Sequence, residues 1–136
     1  MDSNRKKQYI GEKIVKRFLI KNGYHFGPKG NGYDILAIKK DGKMKIEIKT
    51  TQKPVGIPDC YGGEFDQKRK LVADFIYLVK LDKNYKLEKI TTISKKEVDK
   101  YKHNIQPRIR LSHALKTDLK KGKIGKIVFP SNYHKL

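Results

Sequence analysis

The stretch that most constrains this chain runs from Gly32 to Thr51, where two β-rich runs flank an Asp41-Gly42 pair. Asp-Gly between alternating apolar residues is a strong hairpin signal, because both residues tolerate positive φ at a tight tip. With Asp41 and Gly42 at the tip, Lys40 faces Lys43, Leu36 faces Glu47 and Asp34 faces Lys49. Side chains alternate faces with a period of two, so Tyr33, Ile35 and Ala37 share one face with Met44, Ile46, Ile48 and Thr50. That face is predicted to be core. The other face carries Asp34, Leu36 and Ile38 beside Lys45, Glu47 and Lys49. Its two carboxylates become diagonal neighbours about 7 Å apart, within reach of one small cation. Mg²⁺ uses few protein carboxylates and fills its octahedron with waters and substrate phosphate oxygens, which suits two acids beside a lysine. A half-exposed hairpin in a lysine-rich chain also carries such residues for solubility alone.

Charge narrows the partner. The chain has 136 residues, with 33 Lys+Arg against 14 Asp+Glu and a formal charge of +19. Such an imbalance repels itself unless a polyanion neutralises it, so nucleic acid is the expected partner. No apolar run approaches the ~20 residues of a membrane span and the N-terminus has no secretory apolar core, so no membrane role and a cytoplasmic location are expected. Cys60 is the lone cysteine, which leaves no intrachain disulfide and no zinc-spaced Cys/His cluster. The length fits one domain, 1–136, read as a core over 1–104 and a basic C-terminal extension over 105–136.

Along the chain, residues 4–22 read as an amphipathic helix with Ile10, Ile14, Val15, Phe18 and Leu19 on its apolar stripe and Asn22-Gly23 as its stop. Glu12 falls on the flank of that stripe, placed either to look towards a neighbouring strand or to pair with Lys16 one turn on. Tyr24, His25 and Phe26 read as a short strand, followed by a basic glycine-rich loop over 27–32 that contains Lys29. The loop lacks the Lys-Ser/Thr ending of a nucleotide-binding P-loop, so no nucleotide cofactor is expected. Gln52 and Lys53 follow the hairpin, and a short helix is expected within 61–70, where Lys68, Arg69 and Lys70 are candidate phosphate contacts on charge grounds. The apolar run 71–81 reads as a central strand covered on both faces, and 85–93 as its antiparallel return. Ser94-Lys95-Lys96-Glu97 has the form of a capping box and predicts a helix over 95–103. Beyond Pro107 the chain is dominated by Arg108, Arg110 and a series of lysines, while Ile124, Ile127, Val128 and Phe129 mark it as an ordered appendage that either embraces DNA or builds a dimer.

The order of these motifs resembles the PD-(D/E)xK nuclease superfamily, which has an acid at the start of one strand and acid-x-lysine on the next. The matching residues are Asp34 and Glu47-Ile48-Lys49, preceded by Glu12 on the first helix and followed by a later Asp74-Phe75-Ile76-Tyr77-Leu78. The likeness covers roughly residues 8–81, and is greatest to archaeal Holliday-junction resolvases and to nuclease domains attached to restriction systems. It departs at Tyr33, where the superfamily's name has proline. The resemblance implies a restriction-endonuclease-like α/β fold: a mixed central sheet of about five strands flanked by helices in the order α-β-β-β-(α)-β-β-α, with the basic appendage after it. It also implies a Mg²⁺-dependent DNA endonuclease, Mn²⁺ able to substitute, with Glu12, Asp34, Glu47 and Lys49 as catalytic residues. Asp34, Glu47 and the Ile48 carbonyl would hold the metal, with Glu12 acting directly or through water. On charge and position, and not by the resemblance, Lys29, Gln52, Lys53, Lys68, Arg69, Lys70, Arg108 and Arg110 are the candidate DNA contacts. A resolvase-like protein would act as a homodimer on branched DNA. The alternatives are a non-catalytic basic RNA- or DNA-binding protein and a restriction-type, sequence-specific nuclease.

Overall fold

A computed structural model describes residues 2–53, 72–101 and 113–130. The first helix, α1 (Ser3–Lys21), begins where the Asp2 carboxylate accepts the Arg5 amide and ends at Asn22, with Gly23 at φ +87° turning the chain out. Six strands follow: β1 (His25–Phe26), β2 (Ile35–Lys39), β3 (Gly42–Thr51), β4 (Phe75–Leu81), β5 (Leu87–Ser94) and β6 (Lys126–Phe129). They form one sheet in sequence order, with β3 and β4 parallel and the other pairs antiparallel. Two further helices, α2 (Lys95–Asp99) and α3 (His113–Lys120), lie between β5 and β6. The class is α/β with a mixed sheet. The sixth strand and α3 come from the segment set apart as a C-terminal extension. The helix expected within 61–70 lies outside the described residues.

The sheet has a core on each face. Val15 and Leu19 of α1 close over Ile35, Ala37, Ile46 and Ile48, all buried, together with Tyr77, Val79 and Leu81 of β4. On the opposite face Val98, Tyr101 and Leu115 pack on Ile76, Leu78 and Ile93. The strand β4 is thus buried on both sides, as its apolar run, interrupted within the strand by Lys80 alone, predicts. Each fully buried Leu or Val contributes about 1.5–3 kcal/mol. The predicted hairpin face holds for Ile35, Ala37, Ile46 and Ile48. Tyr33 departs from it, precedes β2 and packs on the opposite cluster with Ile76 and Leu78.

The hairpin register differs from the expected one by two residues. Lys39 pairs with Gly42, Leu36 with Lys45 and Ile35 with Ile46, so Lys40 and Asp41 form the tip. Neither tip residue has positive φ, so this is not the turn in which Asp-Gly occupies both central positions. Glycine sits instead at the fourth position, where type I turns favour it. A shift of two preserves the faces but replaces every opposite partner, so Glu47 no longer faces Leu36 and Asp34 no longer faces Lys49.

The capping box forms in full at α2, where Ser94 Oγ accepts the Glu97 amide and Glu97 Oε1 accepts the Ser94 amide. The helix is shorter than the predicted 95–103, because its end tightens into i→i−3 bonds from Lys100 to Glu97 and from Tyr101 to Val98. Tyr101 then donates to Asp118 of α3 at 2.5 Å, and that bond, with burial, pushes the phenol up to about 12.

Close approach of α1 to the sheet depends on Gly11. A Cβ at this position would lie 1.9 Å from Thr50 Oγ1, a buried hydroxyl without a hydrogen-bond partner among the described residues. Threonine is stiff at χ1 and cannot swing aside freely. Gly11→Ala is therefore expected to destabilise by about 1–3 kcal/mol, even though alanine gains up to about 1 kcal/mol in helix propensity. Adding Thr50→Ala should recover a large part of that loss in a urea-unfolding double-mutant cycle; a Gly11→Ala protein as stable as the parent would contradict this packing.

Candidate active site

The candidate site forms where β2 parts from β3. Beyond the Ile35–Ile46 pair, the Asp34 amide donates to the Ile46 carbonyl at 2.8 Å, and the chain then turns away through Gly32. Gly32 has φ +85° and a Cβ there would meet Val72 Cγ2 at 2.9 Å, so both conformation and space favour glycine. Asp34 replaces the missing strand with its side chain: Oδ2 accepts the Ile48 amide at 2.8 Å. Continuing the register by one step sets Asp34 opposite Glu47, a direct neighbour in place of the diagonal one expected.

Glu47 and Lys49 lie two apart on β3 and so share a face, the one they share with Ile76 and Leu78 of the parallel neighbour. Glu47 is 8% exposed, and its Oε1 lies 3.5 Å from Lys49 Nζ. A charge this buried requires partners, and low exposure strengthens its interaction with any cation brought near. Residues on a strand direct N–H and C=O to the same side, so the Ile48 carbonyl leaves β3 towards the gap beside Asp34. Asp34 Oδ1 accepts no hydrogen bond from the described residues. The site thus offers a free carboxylate oxygen, a second carboxylate, a backbone carbonyl and a lysine at the diverging ends of two strands.

Other expected residues fall elsewhere. Glu12 pairs with Lys16 at 3.5 Å, the helix-surface alternative, on the helix that covers the other face of the sheet. Among the described residues no group of three or more acid, histidine or cysteine side chains is placed to hold a metal ion. Gln52 Nε2 donates to the Asp82 carbonyl at 3.1 Å, which ties the end of β3 to the β4–β5 turn. That turn is itself held by the Asp82 carboxylate. Its bonds from the Lys86 and Asn84 amides, the Lys86 bond foremost, keep it below the ordinary aspartate range. Lys29 and Lys53 are exposed, Lys29 on the glycine-rich loop and Lys53 just past β3, where its amide donates to Thr51 Oγ1. Lys68, Arg69, Lys70, Arg108 and Arg110 lie outside the described residues.

A second aspartate, Asp74, opens the matched run Asp74-Phe75-Ile76-Tyr77-Leu78 but was not among the expected site residues. The Asp74 amide donates to the Lys45 carbonyl and its Oδ2 accepts the Lys45 amide, both at 2.8 Å. It therefore mirrors Asp34 across β3. The signal was present in the sequence, since both aspartates immediately precede an apolar strand. Beside them Lys45 Nζ stands 5.6 Å from the centre of the Tyr33 ring.

No family model matches the chain, and no curated protein does.

Proposed function

We propose that this protein is a metal-dependent nuclease that hydrolyses phosphodiester bonds in DNA on a restriction-endonuclease-like core. The observation that carries the reading is the Asp34 carboxylate lying against the Glu47–Ile48 peptide, with Glu47 and Lys49 on one strand face beside it. Two carboxylates and one carbonyl are a sufficient protein share for Mg²⁺ or Mn²⁺, because such ions keep several waters and take substrate oxygens. Asp34 Oδ1, Glu47 and the Ile48 carbonyl would hold the ion. When bound it would supply Lewis-acid stabilisation and a more acidic water.

The chain's own groups do the rest. Lys49 neutralises charge building on the phosphoryl oxygens, where a fixed cation is worth most in the transition state. Glu47 holds Lys49 in place through their 3.5 Å contact. The exposed Lys29 and Lys53 flank the strand ends and suit phosphate contacts, which would make binding strongly salt-dependent. Substrate with two equivalent strands, such as a four-way junction, would call for a symmetric dimer.

A second reading draws on the same bond: an Asp34 that merely secures the Ile48 amide would belong to a non-catalytic basic DNA- or RNA-binding module. Incubating the protein with linear, nicked, flapped and four-way DNA in Mg²⁺ or Mn²⁺ separates the two. Glu47→Ala and Lys49→Ala are expected to lower the cleavage rate by about 10²–10³-fold, with DNA affinity in EDTA nearly unchanged. A parent protein that binds but cuts neither DNA nor RNA would leave the binding module as the reading.

A further inference from the structure

The described residues cover only part of the sheet face opposite the candidate active site. Six strands spaced about 4.8 Å apart span about 24 Å, whereas one helix is about 10 Å across. Among the described residues, α2 and α3 supply the core of one face, while α1 alone covers the other, chiefly over β3 and β4. Between α1 and the β5–β6 side lies a groove of about 680 Å³. Ile10, Ile14 and Phe18 form one wall, and Leu87, Ile90 and Val128 contribute to the other. The α1 residues recur every four positions, the ridge against which a second helix packs. Phe129 at one side remains 37% exposed.

The charges around this apolar slot are all of one sign: Arg17 and Lys21 along α1, and Lys86 from the β4–β5 turn. A second copy would bring the same cations against one another on chains of net charge +19. A bilayer is flat where this surface is concave, and duplex nucleic acid keeps its base faces stacked inside, away from such a slot. A helix with an apolar stripe flanked by carboxylates matches both the shape and the sign. We propose that the groove docks an acidic amphipathic helix from a partner protein. This site is separate from the phosphodiester chemistry and does not depend on it.

The test uses a fluorescein-labelled synthetic peptide of about 15 residues, with leucines on one helical stripe and glutamates beside it. A scrambled peptide of the same composition is the control, and binding is read by anisotropy at physiological salt. The amphipathic peptide should bind at least about tenfold more tightly than the scrambled one. Arg17→Glu with Lys21→Glu, and separately Phe129→Ser, should each weaken it about tenfold. Lys121→Glu with Lys123→Glu, in the turn after α3, should leave it unchanged, as should Glu47→Ala. Circular dichroism confirms that each variant is folded. Equal binding of both peptides, or equal loss from the distal charge reversal, would reduce the effect to bulk attraction and overturn the proposal. It is equally overturned if Phe129→Ser abolishes self-association in sedimentation, or binding to phosphatidylglycerol vesicles, while peptide binding is absent.

Discussion

Asp34→Asn is expected to melt within about 2 °C of the parent and to lose Mg²⁺-dependent DNA cleavage by about 10²–10³-fold. The Asp34 side chain has two separable jobs. Asparagine keeps an oxygen that can accept the Ile48 amide, so the seam between β2 and β3 survives. It lacks the negative charge and the second carboxylate oxygen that a divalent ion requires. Asp34→Ala removes the acceptor as well, leaves the part-buried Ile48 N–H without its partner, and should cost roughly 1–3 kcal/mol on top of the lost activity. Calorimetric titration with Mg²⁺ or Mn²⁺ provides a readout independent of turnover: heat of binding in the parent should vanish in Asp34→Asn. A folded Asp34→Asn protein that cuts DNA like the parent would confine this carboxylate to holding the strand seam.

The hairpin explains why some of this was legible in the sequence and some was not. Alternation fixed the faces of Ile35, Ala37, Ile46 and Ile48, because parity survives any even register shift. Partner identity did not, since the same Lys-Asp-Gly segment fits either Asp41-Gly42 or Lys40-Asp41 as the central pair of the turn. Only the position of Asp34 relative to Ile46 and Ile48 decides between them, and that is a long-range contact. The start of β4 was hidden for a related reason. Apolar character continues back to Leu71, but the Asp74 carboxylate takes the Lys45 amide and the regular ladder begins at Phe75. At the C-terminal end, Ile127, Val128 and Phe129 signalled order, yet their place beside β5 was masked by surrounding lysines. Glu12 on the helix flank had two partners within reach, and helix geometry alone could not choose between the strand and Lys16. Ser94 and Glu97 are the opposite case, because both partners of the capping box lie within one helical turn.

What the capping box did not announce is that Glu97 reaches a third element. Its Oε2 accepts the Gly125 amide at 2.7 Å, just before β6, while Oε1 serves the Ser94 amide and hydroxyl. One carboxylate therefore fastens the start of α2 and the entry of the last strand. Gly125 has φ +79° and little space around its α-carbon, so the loop is fixed there and has few other ways to satisfy its amide. Glu97→Ala is expected to cost roughly 2–4 kcal/mol and lower the melting temperature by on the order of 10 °C, with Gly125 losing hydrogen-exchange protection. Glu97→Gln should cost less, since one oxygen remains for one of the two tasks. Burial opposes the charge on Glu97, but bonds from Ser94 and Gly125, helped by Lys100, outweigh it and hold the carboxyl below the ordinary glutamate range. A carboxyl depressed in the folded state stabilises above its unfolded pKa of about 4.3 and loses that contribution as pH falls through the folded value. The parent should therefore lose more stability than Glu97→Gln on acidification below about pH 4, so that the gap between their urea midpoints narrows. A gap that stayed constant down to pH 2 would mean that the neutral acid fastens β6 as well as the carboxylate does.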